Sequence, residues 1–193
     1  MKLLSSSCLL LAALVGTASV LAEPVAPTPP ARSRLSPHET ISASIGKGGP
    51  RITLTYGRPY SKDPKTAEIR KIWGGLVKWD KADRLGADEA TLLLTQQPLQ
   101  FGAVTIPAGA YTLYLVPSET GASLLAFSSN LGKWGVPVDE THDVARVALT
   151  KDTISQSVDQ LTLAVKANAS GDGGDLTIQW ESTQLSAAFT IKK

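Results

Sequence analysis

Reactive side chains are scarce in this 193-residue chain, which has one cysteine, two histidines and one methionine. The cysteine, Cys8, lies inside an N-terminal apolar segment, so residues 23–193 carry none. This excludes from that stretch a disulfide, a thiol nucleophile, a cysteine-held zinc and an iron–sulfur cluster. His38 and His142 form neither a His-x-His nor a His-x-x-x-His pair, and no metal or other cofactor is expected. A Gly-x-Ser-x-Gly elbow is absent. The glycine-rich run Gly46-Lys47-Gly48-Gly49 joins two strand-like segments and opens no helix, so it reads as a hairpin turn and not as a phosphate loop. Charge of either sign is also in short supply, with 19 Lys and Arg against 17 Asp and Glu and no block of like charges. A nucleic-acid partner is not expected from such a balance.

The N-terminus reads as an export signal. Lys2 supplies a positive start, Leu9 to Val15 an apolar core, and Val20-Leu21-Ala22 a small-residue cleavage site. The apolar run is too short for a membrane-spanning helix. Cys8 precedes most of it, where a lipid-anchor cysteine would follow. Residues 1–22 are therefore expected to be a signal peptide, and the protein to be periplasmic or extracellular. Pro24, Pro27, Pro29 and Pro30 mark residues 23–35 as an extended linker.

Residues 36–193 alternate apolar and polar positions between turn residues. Ile41, Ala43 and Ile45 alternate with Thr40, Ser42 and Ser44, and Ile52, Leu54 and Tyr56 with Thr53 and Thr55. Further strands are expected over 91–95, 99–101, 111–116, 123–127, 144–149, 161–165, 176–180 and 185–191. About ten strands at this spacing argue for an all-β chain: one antiparallel two-sheet β-sandwich, acting as a monomeric domain. Ser170-Gly171-Asp172-Gly173-Gly174-Asp175 reads as a hairpin tip, since the closing Glu of a calcium loop is missing.

The pattern breaks over about 58–90, an irregular loop region with helical turns expected around 66–74 and 80–84. Here Arg58, Arg84, Asp88, Glu89 and Thr91 accompany Trp73 and Trp79, and Asp143 and Arg146 could join them from a later strand. One reading is a structural network, because arginine forks match carboxylates. Another is a ligand pocket made by Arg58, Trp79, Arg84, Asp88, Glu89, Asp143 and Arg146, with tryptophan stacking on an anionic or polyhydroxyl ligand. A third is acid/base chemistry by Glu89 or Asp143. Asp88 and Glu89 make a poor dyad if they lie in a strand, where neighbours face opposite sides. His142-Asp143 is a further candidate pair, weighed against a solvated loop histidine.

At these residues a resemblance appears. Ser36-Pro37, the strand from Ile52 ending in Arg58-Pro59, Ile72-Trp73-Gly74, Arg84-x-Gly86-Ala87-Asp88-Glu89-Ala90-Thr91, Ile106-Pro107-Ala108-Gly109-x-Tyr111, Trp134-Gly135 and Asp143-Val144-x-Arg146 occur in order. Together they resemble the bacterial secreted family known as domain of unknown function 2911, over about residues 36–191. The resemblance implies an exported β-sandwich and no established activity. The chain departs from that pattern in places. Asp88 stands where the family usually has Asn. Asp83, not Trp, precedes Arg84, so any shared stacking role would fall to Trp79. The segment between Arg58 and Trp73 is also longer.

The leading functional expectation is a non-enzymatic module binding a small molecule, a glycan or an envelope component. The alternatives are a hydrolase of glycan or other envelope material, and an accessory protein that docks an envelope protein. Binding predicts an open cleft with exposed tryptophan, and hydrolysis two carboxyl groups about 5–10 Å apart across it. A structural network predicts arginines and carboxylates that are buried and mutually paired.

Overall fold

The computed structural model describes residues 34–192. The expected signal peptide and residues 23–33 of the expected linker lie outside them. Among the described residues ten strands form: β1 (His38–Ser44), β2 (Arg51–Gly57), β3 (Asp83–Arg84), β4 (Thr91–Thr95), β5 (Leu99–Phe101), β6 (Val104–Ile106), β7 (Gly109–Val116), β8 (Ser123–Ser128), β9 (Asp143–Ala167) and β10 (Gly173–Ile191). Every strand pairing is antiparallel, in the order β1-β2-β4-β7-β8-β9-β10-β5-β6, with β3 beside β7. The ladder is open, with β1 and β6 at its ends.

The all-β antiparallel expectation holds, but the two layers share strands. The segments expected at 144–149 and 161–165 belong to one strand, and so do those at 176–180 and 185–191. Asp143 to Leu149 of β9 pair with β8, whereas Thr150 to Ala167 pair with β10. The ladder then curls back on itself. Leu161 N–H donates to the Pro59 carbonyl and Ser61 N–H to the Asp159 carbonyl, which brings the chain after β2 against β9.

The inner faces meet in one core. Leu54, Tyr56, Leu93, Leu113, Leu115, Leu125 and Phe127 face Leu161, Leu163, Leu176, Ile178, Trp180 and Phe189. Period-two alternation sends these side chains to one side of each strand and Thr and Ser to the other. Fully burying an aliphatic or aromatic side chain contributes about 1.5–3 kcal/mol.

Residues 58–82 contain hydrogen-bonded turns in place of helix. Ala67 N–H donates to the Asp63 carbonyl, and Leu76 and Val77 N–H to those of Lys71 and Ile72. The only helical element among the described residues is a 3₁₀ turn at Glu140–His142, outside the expected region. The Gly46–Gly49 turn and the Asn168–Asp172 tip both join antiparallel neighbours, as expected. No helix among the described residues is long and apolar enough to cross a membrane.

Candidate functional site

The site is built on the outer face of the sheet. Arg84 of β3 stands opposite Tyr114 of β7, Tyr114 opposite Ala126 of β8, and Ala126 opposite Arg146 of β9. Directly opposed residues share a face, so these four form a row three strand spacings long, about 14 Å. Tyr114 and Ala126 are buried yet stand outside the core, and the chain between β8 and β9 lies beside Tyr114. Thr112 and Ser128 are opposed in the same way, two residues along their strands.

The arginines and carboxylates expected to form one cluster fall into separate groups. In the first, Arg58 donates to the Leu161 carbonyl at 3.2 Å and to Thr162 Oγ1 at 3.0 Å, and pairs with Glu39 at 3.3 Å. Beside it Tyr56 donates to Glu39 at 2.9 Å and accepts from Leu163 N–H at 2.9 Å. Burial pushes the Tyr56 phenol up to about 12.

In the second group Asp143 accepts from the Tyr114 hydroxyl and from Arg146 Nε. Arg146 also reaches Tyr114 Oη at 2.9 Å and pairs with Glu140. Burial raises the Tyr114 phenol, and the Asp143 carboxylate adds to the shift. Hydrogen bonds that Arg146 donates to Asp143 and Glu140 raise its guanidinium further above its usual range.

The third group holds Glu89, which Arg34 grips with both terminal nitrogens. That contact holds the Glu89 carboxyl down at about 2. His38 Nε2 lies 3.2 Å from Asp88 and 3.6 Å from Glu89. Asp88 has φ +62, a left-handed conformation tolerated best, after glycine, by Asn and Asp. His142 is exposed and pairs with Asp139 at 3.0 Å.

Arg84 differs from the other arginines of the expected pocket, because no carboxylate pairs with it among the described residues. Its Nη1 donates to the Asp88 carbonyl at 2.7 Å and the Trp134 carbonyl at 3.3 Å. Its guanidinium carbon lies 5.8 Å from the centre of the Trp134 ring. Arg84 and Ala90 wall a cleft of about 230 Å³ whose floor includes Thr112, Tyr114 and Ser128 and whose roof is Lys133 to Asp139. The roof and the residues leading into it are fixed at three points. Ala90 N–H donates to the Lys133 carbonyl, Thr112 Oγ1 to the Asn130 carbonyl, and Arg84 to the Trp134 carbonyl. Gly135 fits there with φ +84, and a Cβ would stand 3.0 Å from that of Ala90. Trp134 and Val136 on this roof are 55 % and 58 % exposed.

Trp79 does not line this cleft. It stacks on Trp73 at 6.2 Å, with Lys151 Nζ 5.1 Å from its ring centre. Trp73 Nε1 in turn donates to the Trp180 carbonyl at 3.4 Å. Thr91 is fully buried and donates to the Leu85 carbonyl, closing the loop before β4. Residue-by-residue reading missed Trp134 as a stacking residue. Its signal was a lone tryptophan in the turn-rich run Gly132-Lys133-Trp134-Gly135-Val136-Pro137, where a core residue is not expected.

The sequence profile of one family, protein of unknown function (DUF2911), matches residues 36–189, and the chain belongs to that family. No curated protein and no solved structure matches the chain.

Proposed function

We propose that this DUF2911 member is a non-enzymatic binding module working outside the cytoplasm, whose ligand occupies the cleft beneath Lys133–Asp139. The observation that carries this reading is Arg84: it lines a cleft beside an exposed tryptophan and has no carboxylate partner among the described residues. A ligand acid can take the donors that Arg84 does not spend on the two carbonyls. The Trp134 ring offers a face to a sugar or aromatic ring, and Lys133 adds a second cation. Thr112, Tyr114 and Ser128 line the floor. At about 230 Å³ the cleft is smaller than typical drug-sized sites, which start near 300 Å³, so the ligand is a small ring-bearing anion such as an acidic sugar.

The contacts of Glu89 and Asp143 favour binding over hydrolysis. Arg34 occupies both Glu89 oxygens, and Tyr114 with Arg146 occupies Asp143, so neither carboxylate is poised to exchange a proton with a substrate. The N-terminal signal pattern supports export.

Calorimetric titration with glucuronate, a sugar phosphate and inorganic phosphate tests the cleft. Saturable binding that Arg84→Ala or Trp134→Ala abolishes supports it. Absence of heat and of thermal shift across these probes at millimolar concentration sinks it. Fractionation of the source cell, with the mass of the recovered chain, tests export.

A further inference from the structure

Arg84 also borders a second cleft on its other side. This cleft measures about 440 Å³ and is lined by Pro59, Tyr60, Leu76, Val77, Asp83, Ala87 and Trp180, among others. Asp83 occupies an inward-facing register position. Its cross-strand partner Leu115 and its neighbour-but-one Leu85 are both in the core. Its carboxylate nevertheless has no hydrogen-bond donor and no ion-pair partner among the described residues. Burial raises its pKa, and the adjacent Arg84 only partly opposes this.

The other charged side chains of the cleft are mostly committed. Asp63 accepts from Lys65 and Thr66 N–H. Arg70 donates to the carbonyls of Tyr60 and Ser61. Asp88 meets His38, and Arg84 donates to two carbonyls. Lys65 is exposed, and its charge acts on Asp63.

A half-buried carboxylate left unpaired costs stability unless something supplies the missing charge. We propose that Asp83 is the receptor for an organic ammonium group, whose apolar body lies along Val77, Leu76 and Trp180. The walls favour this over a metal ion. A hard cation wants six or more oxygen ligands, and no group of three or more His, Cys, Asp or Glu gathers here among the described residues. An ammonium needs one carboxylate, and aromatic and aliphatic surface suits its carbon substituents. The site shares Arg84 and Val136 with the Arg84–Trp134 cleft and takes a ligand of the opposite charge.

Tryptophan fluorescence and calorimetric titration of the full chain with n-butylammonium, choline and putrescine chlorides test this, against sodium chloride at equal ionic strength. Saturable binding of at least one amine is expected. Asp83→Asn should weaken it about tenfold or more without weakening binding of acidic probes at Arg84. Lys65→Ala should leave amine binding at Asp83 in place, because the charge of Lys65 acts on Asp63. Amine binding that is non-saturable, or equal in wild type and Asp83→Asn, overturns the proposal. Asp83→Asn replaces a half-buried carboxylate with a neutral group of the same shape, so it is expected to fold, and its unfolding midpoint verifies that.

Discussion

The Tyr114 hydroxyl faces both carboxylate oxygens of Asp143, at 2.7 and 2.6 Å, and shares one proton between them. Arg146 closes the triangle by donating to Asp143 at 2.7 Å and to the Tyr114 oxygen at 2.9 Å. This knot ties β7 to the start of β9 under the loop that roofs the cleft. Tyr114→Phe keeps the ring and removes the proton from a hydrogen bond to a charged group. It is expected to destabilise the fold by about 1.5–3 kcal/mol, read as a lower denaturant midpoint. An unchanged midpoint would dissolve the knot as a structural element.

Arg58 and Arg84 should separate in mutagenesis. Arg58 braces β2 against β9 through Leu161, Thr162 and Glu39. Arg58→Ala is therefore expected to cost about 2–3 kcal/mol of stability. Arg84→Ala gives up two bonds to neutral carbonyls, at a cost of about 1 kcal/mol, and abolishes acidic-ligand binding. Equal stability losses would argue against this division of labour.

Acid should weaken the loop carrying Glu89. Its folded pKa, about 2, lies below the ordinary carboxylate value. The stabilisation is therefore complete above about 4.5 and disappears as pH falls toward 2. Half of the Glu89 side chain is exposed, so the effect is modest and screened by salt. Glu89→Gln should flatten that part of the pH–stability profile, and an unchanged profile would show that the Arg34 grip contributes nothing in solution.

Alkali should act through Tyr56, whose folded pKa is raised to about 12 by burial. The neutral phenol is the stable form, so its contribution holds below about 10 and is lost as pH rises through 12. Tyr56→Phe should remove this alkaline loss. At neutral pH it leaves the Leu163 N–H without its acceptor, a cost of about 1–3 kcal/mol.

Gly57 ends β2 where the 85–88 turn crosses it. A Cβ there would stand 2.2 Å from the Ala87 carbonyl oxygen. Gly57→Ala should cost about 1–3 kcal/mol and disturb both clefts, because Ala87 N–H also donates to the Gly57 carbonyl. Preserved stability with intact ligand binding would contradict the close approach.

Period-two alternation made most strands legible, because one face of each meets the core. It failed over Lys151 to Gln160, where side chains on both faces of β9 are largely exposed and the pattern carries no signal. β6 is three residues long and follows a tight turn at Gly102, too short for a periodicity to show. At the site, the types and neighbourhoods of Arg58, Arg84, Asp143 and Arg146 were legible but their partners were not. Pairing is set by which strands lie side by side, and Arg146 meets Tyr114 only because β8 brings Ala126 between them. Asp83 was visible only as a departure from the resemblance; that it lacks a partner depends on its inward register opposite Leu115.

The continuity of β9 and β10 through both layers has a mechanical consequence. Layers that share strands cannot swing apart as hinged halves, and neither can melt while the other stays folded. Unfolding should be a single cooperative event, with fluorescence and circular dichroism transitions coinciding. Access to the cleft under Lys133–Asp139 must then come from that loop lifting off an undeformed β surface.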